Sequence, residues 1–248
     1  MKLLIDIGNT TTSIGLWNNN KLSKVSNIQN NKFLNEVKKY IKTNITNVIF
    51  TSVISAKDNK LINTRLKKLF KCEVKQLKST SSFLGVTNGY KQASKLGDDR
   101  WVSIVASYIT YKSPLIIVDC GTAVSIDIIN NEGMHSGGYI LAGIDGYKRC
   151  FDNAYHLKNT KLKETIKLNK NSLPNTTDDG ITQGYLKMIV SLIESIYDEL
   201  NKNKKLSPRL LISGGYGKII SDNLSIKNNY EPHLVLRCLG VISRRMRY

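Results

Sequence analysis

Two short segments of the sequence place a carboxylate, a glycine and hydroxyl side chains directly after an apolar run. They are Asp6-Ile7-Gly8-Asn9-Thr10 and Asp119-Cys120-Gly121-Thr122. A glycine at a strand end lets the backbone approach a ligand closely, and exposed amides there can hold phosphate oxygens. A carboxylate at the same place can bind Mg²⁺ directly or through water. The pair indicates a cleft for the phosphates of a nucleotide, although the first segment taken alone is more typical of an ordinary Asp/Gly/Asn turn.

A third cluster, Gly97-Asp98-Asp99-Arg100-Trp101, precedes a stretch with helical periodicity. One of its carboxylates could accept the proton of an attacking hydroxyl while Arg100 stabilises anionic charge. Acidic residues at a helix start are also favoured by the helix dipole, and spacing alone favours that simpler interpretation.

Several common catalytic motifs are missing from the sequence. Gly217-Lys218 lacks the upstream glycine and the following Ser/Thr of a P-loop, and no G-x-G-x-x-G, H-E-x-x-H or G-x-S-x-G occurs. The four cysteines form no C-x-x-C pair, so a zinc knuckle and a thioredoxin-type redox site are excluded. If the ligand is ATP, the fold is therefore neither a P-loop nor a Rossmann fold.

The elements around these clusters repeat. Apolar runs of strand length lead into both Asp6 and Asp119, and at an offset of 113 residues Asp aligns with Asp, Gly with Gly, and Thr12 with Ser125. Helical patterns separate the strands in both halves, which predicts a mixed α/β chain. A repeat at half the chain length predicts two similar domains, residues 1–112 and 113–248.

The composition describes a globular protein with a strong positive charge. The 248 residues include 41% hydrophobic residues and carry a formal net charge of +18, with lysines scattered over the chain. No apolar run reaches the ~18 residues of a membrane span, and Asp6 interrupts the first one too early for a signal peptide. We expect a cytoplasmic protein with reduced cysteines and no membrane partner. The charge fits surface solvation best, and small anionic ligands or nucleic acid are the alternatives.

Taken together, the motifs resemble those of the type III pantothenate kinases, members of the superfamily that also holds acetate and sugar kinases, heat-shock chaperone ATPases and actin. The likeness extends over nearly the whole chain, and its motifs occur in order: Asp6 to Thr10, Thr51-Ser52-Val53-Ile54, Leu96 to Trp101, Asp119-Cys120-Gly121-Thr122-Ala123, Gly137-Gly138, Asn175-Thr176-Thr177 with Gly184, and Ser213-Gly214-Gly215.

The resemblance implies two RNase-H-like (actin-like ATPase) domains with a nucleotide cleft between them. It implies ATP-dependent phosphorylation of pantothenate, the first step of coenzyme A biosynthesis, with Asp99 as the general base. The residues that would bind ATP are Asp6, Ile7, Gly8, Asn9, Thr10, Thr11, Thr12, Ser13 and Thr122.

The resemblance also implies a substrate site, cations and an assembly. Pantothenate would contact Tyr90, Gly97, Asp98, Asp99, Arg100 and Thr177, with Thr176 as the alternative to Thr177. Asp119 would hold K⁺ or NH₄⁺, and Asp6 would hold Mg²⁺ or another divalent cation, directly or through water. The enzyme would be a homodimer.

The chain departs from the family pattern beside the base, where Asp98 replaces the usual alanine. A second carboxylate next to Asp99 should raise one of the two pKa values and alter the grip on substrate. This departure keeps open a kinase acting on another small hydroxylated substrate. A DNA-linked regulatory role, described for some relatives, is the other alternative, but no recognisable DNA-reading element occurs and we do not expect nucleic acid among the partners.

Overall fold

A computed structural model describes residues 1–154, 157, 167–168, 173–202 and 207–246. Its strands are β1 (Lys2–Ile7), β2 (Thr11–Asn18), β3 (Lys21–Gln29), β4 (Asn47–Ser52), β5 (Glu73–Gln76), β6 (Ser82–Phe83), β7 (Val86–Thr87), β8 (Leu115–Cys120), β9 (Ala123–Ile129), β10 (His135–Ala142), β11 (Arg209–Ser213) and β12 (Asn229–Tyr230). Its α-helices are α1 (Phe33–Lys38), α2 (Ala56–Phe70), α3 (Asp98–Tyr111), α4 (Ile144–Arg149), α5 (Thr177–Asn201), α6 (Gly217–Asn223) and α7 (Leu234–Arg245).

The first sheet has the strand order β3-β2-β1-β4-β5. β1 pairs antiparallel with β2 and parallel with β4. Its alternate side chains point to opposite sides of the sheet, and both sides are covered. Leu3, Ile5 and Ile7 face a core that includes side chains of α1 and α2. On the opposite face α3 and α7 pack against each other and against this sheet.

The second sheet repeats the first, with the order β10-β9-β8-β11-β12. β8 pairs antiparallel with β9 and parallel with β11, as β1 does with β2 and β4. The long helix α5 covers this sheet with buried Tyr185, Ile189 and Ile193. The prediction of an α/β fold built from two RNase-H-like halves is therefore confirmed.

The chain forms two compact units. Unit 1 consists of Met1–Lys112, Glu132–His135 and the C-terminal segment from His233, and unit 2 consists of Ser113–Asn131 and Ser136–Pro232. The chain passes from unit 1 to unit 2 after Lys112. α7 returns to unit 1, because its buried side chains lie against β1, β2 and α3.

The internal repeat is real, but its alignment shifts by one residue within the hairpin turn. Asp6 lies opposite Ser13, whereas Asp119 lies opposite Ser125, so Ser13 and not Thr12 is the equivalent of Ser125. The constant offset of 113 was wrong beyond the glycine, because the second turn is one residue shorter than the first. Of the helices in the described ranges, none combines the length and apolar character needed to cross a membrane.

Candidate active site

The turn after β1 presents a carboxylate between hydroxyl side chains. Asp6 is half-buried near the end of β1 and lies opposite Ser13 on β2 and Thr51 on β4. Residues directly opposite in a sheet share a face, so one carboxylate is flanked by two hydroxyl groups. The chain then reverses through Gly8, whose N–H donates to the carbonyl of Thr11 at 2.9 Å.

A residue that sequence reasoning missed, Asn30, spans this turn. Its Nδ2 donates to the carbonyl oxygens of Gly8 (2.9 Å) and Asn9 (3.1 Å), and its Oδ1 accepts from Oγ1 of buried Thr12 at 2.7 Å. Its backbone N–H donates to the carbonyl of Thr10 at 3.2 Å. Asn30 lies in a polar run after β3, so no local pattern distinguishes it.

The start of α3 presents the predicted base. Asp99 lies in the first turn of the helix, half-buried, and its Oδ1 accepts from the backbone N–H of Arg100 at 2.7 Å. A Cβ on Gly97 would lie only 2.7 Å from that same oxygen. Glycine at this position therefore leaves room for the carboxylate in its present orientation.

Arg100 joins the helix to the loop that contains Tyr90. Its Nη1 donates to the Tyr90 hydroxyl at 3.1 Å, and its guanidinium carbon lies 5.6 Å from the centre of the Tyr90 ring. On the other side, Tyr90 stacks on His135 with ring centroids 5.8 Å apart and an angle of 17° between the rings. His135, the first residue of β10, is fully buried.

The neighbouring Asp98 is used differently. Its Oδ1 accepts from the backbone N–H of Ser79 at 2.8 Å, which ties the loop after β5 to the helix start. Burial raises the pKa of the Asp98 carboxyl; the Ser79 N–H and the charge of Lys78 oppose this shift, and the charge of Asp99 adds to it. The rise expected from two adjacent carboxylates thus falls on Asp98, with burial as the larger cause.

The equivalent turn in unit 2 is built from backbone contacts. Asp119 lies opposite Ser125 and Ser213, and the Gly121 N–H donates to the carbonyl of Ala123 at 3.0 Å. The carbonyl of Thr122 accepts from the N–H of Gly143 at 3.2 Å, and a Cβ on Gly143 would lie 2.5 Å from that carbonyl oxygen.

The two threonines that open α5 are distinguishable. Thr176 is the N-cap: its Oγ1 accepts from the backbone N–H of Asp179 at 3.2 Å and also lies 3.0 Å from Oδ2 of that residue. The Thr176 hydroxyl is thereby engaged in capping. Thr177 is exposed in the first turn.

Both predicted cation positions have oxygen-rich surroundings. Mg²⁺ is commonly held by one or two carboxylates together with substrate phosphates and water, so Asp6 with its flanking hydroxyl groups fits such an ion. Asp119, between Ser125 and Ser213, offers the same donor types. Within the described ranges, no group of three or more His, Cys, Asp or Glu side chains forms a metal cage.

In unit 1 the structure brings Tyr90 into contact with Arg100, the residue after Asp99, although ten residues separate Tyr90 from Arg100 in sequence. The predicted ATP-binding residues Asp6 to Ser13 form one continuous hairpin turn in the same unit. Asp119, Thr122 and Thr177 belong to unit 2.

Comparison with known sequences gives the same family as the motifs. A family model described as type III pantothenate kinase matches residues 2–199. A relative from Sulfurihydrogenibium, named type III pantothenate kinase, is 28% identical over 96% of this chain and 97% of its own length. A relative with the same name from Pseudoalteromonas translucida is 29% identical over 97% of this chain and 95% of its own length.

Solved structures share the fold. A Campylobacter jejuni protein, described as a Baf family transcriptional activator, superposes with a TM-score of 0.64 at 23% identity and 98% coverage of both chains. The ethanolamine utilization protein EutJ from Carboxydothermus hydrogenoformans gives a TM-score of 0.55 at 10% identity, covering 97% of this chain and 89% of that one.

Proposed function

The chain belongs to the type III pantothenate kinase family, whose members phosphorylate pantothenate with ATP in coenzyme A biosynthesis, and we propose that Asp99 is the general base of this reaction. The observation that carries the proposal is the arrangement at the start of α3. There a half-buried carboxylate is held in a fixed orientation by the Arg100 amide, and Gly97 makes room for it.

In the proposed reaction, Asp99 accepts the proton of the primary hydroxyl of pantothenate as that oxygen attacks the γ-phosphorus of ATP. The bond between the γ-phosphorus and the bridging oxygen breaks, and ADP leaves. Phosphoryl transfer requires mainly alignment and charge neutralisation, so one correctly placed carboxylate is sufficient as the protein base. Arg100 and Tyr90, in contact with each other, would bind the anionic substrate beside it.

ATP would lie on the hairpin turn from Asp6 to Ser13, with Thr122 as a further contact. Mg²⁺, when bound, would neutralise charge on the phosphates, and Asp6 would hold it directly or through water. Asp119 would hold K⁺ or NH₄⁺. Gly97, Asp98 and Thr177 complete the proposed pantothenate site, and the capping role of the Thr176 hydroxyl supports Thr177 over Thr176.

A homodimer in the cytoplasm is part of the same proposal, with two domains that divide near residue 112 and with the C-terminal segment from His233 belonging to the first. The supporting argument is the family resemblance rather than a contact in the chain. We include no membrane or nucleic-acid partner.

The test is ADP release from Mg·ATP with and without pantothenate, measured in K⁺ and then in Na⁺ buffer. We expect pantothenate-dependent turnover that is faster in K⁺. In the Asp99→Asn variant kcat should fall by about 10²- to 10⁴-fold, because the variant cannot take up the proton. Asp222→Asn, which changes an exposed carboxylate on α6, is the matched control and should retain normal turnover.

The two parts of the proposal fail separately. If a folded wild-type protein releases no pantothenate-dependent ADP, the substrate is a different hydroxylated compound or the site is inactive. If turnover is normal and Asp99→Asn leaves kcat within a factor of about two, another group is the base.

A further inference from the structure

We propose that Asn30 is a positioning residue that holds the turn between β1 and β2 in the conformation that binds nucleotide phosphates. The inference rests on the proposed binding of ATP at this turn. Asn30 lies outside that turn in sequence, directly after β3, and is placed beside it because β3 is the third strand of the same antiparallel meander.

The Asn30 side chain fixes the direction of two peptide groups in the turn. Asn30 Nδ2 donates to the carbonyl oxygens of Gly8 and Asn9, at 2.9 and 3.1 Å. In a planar trans peptide the carbonyl oxygen and the following N–H point in opposite directions. The N–H groups of Asn9 and Thr10 therefore point away from Asn30. Both residues are exposed, and these two successive amides form the proposed anion-binding side of the turn.

Position 30 needs an amide side chain. Two carbonyl oxygens require a group with two donors, and the Thr12 hydroxyl, which donates to Oδ1 at 2.7 Å, requires an acceptor. A carboxamide supplies both from one end, whereas aspartate has no donor at neutral pH and would place negative charge against two carbonyl oxygens. Thr12 is fully buried, so its hydroxyl depends on this partner.

The second turn, in unit 2, holds its peptide groups in a different way. There the Thr122 carbonyl accepts from the backbone N–H of Gly143, so the chain itself fixes the peptide direction. The turn of unit 1 is one residue longer and obtains the corresponding contacts from the Asn30 side chain. Both turns thus hold their peptide groups with hydrogen bonds. In unit 1 the donor is a side chain, which a single substitution removes.

The experiment compares Asn30→Ala and Asn30→Asp with the wild type, and Asn31→Ala, at the adjacent exposed residue, is the matched control. We expect KM for Mg·ATP to rise about tenfold in both Asn30 variants, since hydrogen bonds to charged groups are weakened. KM for pantothenate should stay within a factor of about two. A purely structural role would lower the thermal midpoint while leaving the KM for ATP of the folded protein unchanged, and that result would overturn the inference.

A second measurement keeps the inference testable if the Asn30 variants turn over poorly, and it separates two kinds of failure. In protein labelled with ¹⁵N at Asn and Thr, Mg·AMPPNP should shift the amide resonances of Asn9 and Thr10 in the wild type and shift them much less in Asn30→Ala. If the wild-type amides do not respond while the enzyme turns over, ATP does not bind at this turn and the proposed site is wrong. If they respond equally in both proteins, only the role of Asn30 is refuted.

Discussion

The adjacent aspartates at the start of α3 have different surroundings and therefore different tasks. Asp99 accepts from the Arg100 amide and is the proposed base, while Asp98 accepts from the Ser79 amide and joins the loop after β5 to the helix. Burial is the main cause of the raised Asp98 pKa, so its ionised form is disfavoured in the folded protein. Aspartate in place of the usual alanine thus adds a hydrogen bond between this loop and the helix, but burying its charge costs stability at neutral pH.

This cost has a predictable pH dependence. Because the pKa of Asp98 lies above its unfolded value near 3.8, the folded state binds this proton more tightly, and stability decreases as pH rises through the folded pKa. Asp98→Asn keeps an oxygen for the Ser79 N–H but has no charge. Relative to the wild type, its free energy of unfolding should therefore rise from acid to neutral pH and then level off.

Urea unfolding of both proteins between about pH 3.5 and 7 measures this difference. Asp152→Asn, in an exposed turn of unit 2, is the control for a carboxylate elsewhere on the surface. A constant difference between Asp98→Asn and the wild type across this range would contradict the assignment.

The elements that could be predicted are those whose apolar pattern reflects their own burial. β1, β8 and α5 are buried along regular positions, so their periodicity locates them within a few residues. β3 was missed because it is an edge strand with mostly exposed and half-buried side chains. α7 was not predicted, although its buried side chains recur at helical spacing before a basic last turn.

The residues of the site likewise fall into those that could be predicted from the sequence and those that could not. The Asp6 turn and the Asp99 cluster are local in sequence, so their residue types and spacing could be found without a structure. Asn30 and His135 could not, because each acquires its role from a strand that returns beside the site. Hydrogen bonds and ring stacking between distant segments have no local signature in a single sequence.

The close packing of α7 on the first sheet makes a specific prediction for Gly240. A Cβ at this position would lie 2.4 Å from two ring carbons of Trp17, and that ring is nearly fully buried on β2. Gly240→Ala gains up to about 1 kcal/mol of helix propensity but must displace a rigid indole, which typically costs about 1–3 kcal/mol. We expect net destabilisation, measured as a lower urea midpoint.

Gly180→Ala is the matched control for this substitution. Gly180 lies in α5, is exposed, and a Cβ there meets open space, so the alanine should be neutral or slightly stabilising. If Gly240→Ala is as stable as the wild type, α7 can move away from Trp17, and its role in completing unit 1 is weaker than the packing indicates.

The net charge of +18 is a property of the chain as a whole, and an enzyme acting on anions and a DNA-binding regulator would use it differently. Pantothenate and ATP are both anions, so a positive surface can raise their local concentration without any macromolecular partner. DNA binding would use the same charge differently, since neutralising several phosphates produces a steep dependence of affinity on salt. The Baf-family neighbour shares the fold at 23% identity, and a shared fold does not show which of these two uses applies to this chain.

We therefore expect kcat/KM for pantothenate to fall severalfold between low ionic strength and 0.15 M salt, where screening acts over about 8 Å, while kcat changes little. An analogue in which an alcohol replaces the carboxylate of pantothenate is the matched control, and its kcat/KM at saturating ATP should be nearly independent of salt. Equal salt dependence for both compounds would show that the charge does not attract the substrate.

Tight binding to duplex DNA at 0.15 M salt, with log affinity falling steeply against log salt concentration, would favour a regulatory partner, because surface lysines that merely solvate the protein do not produce that slope.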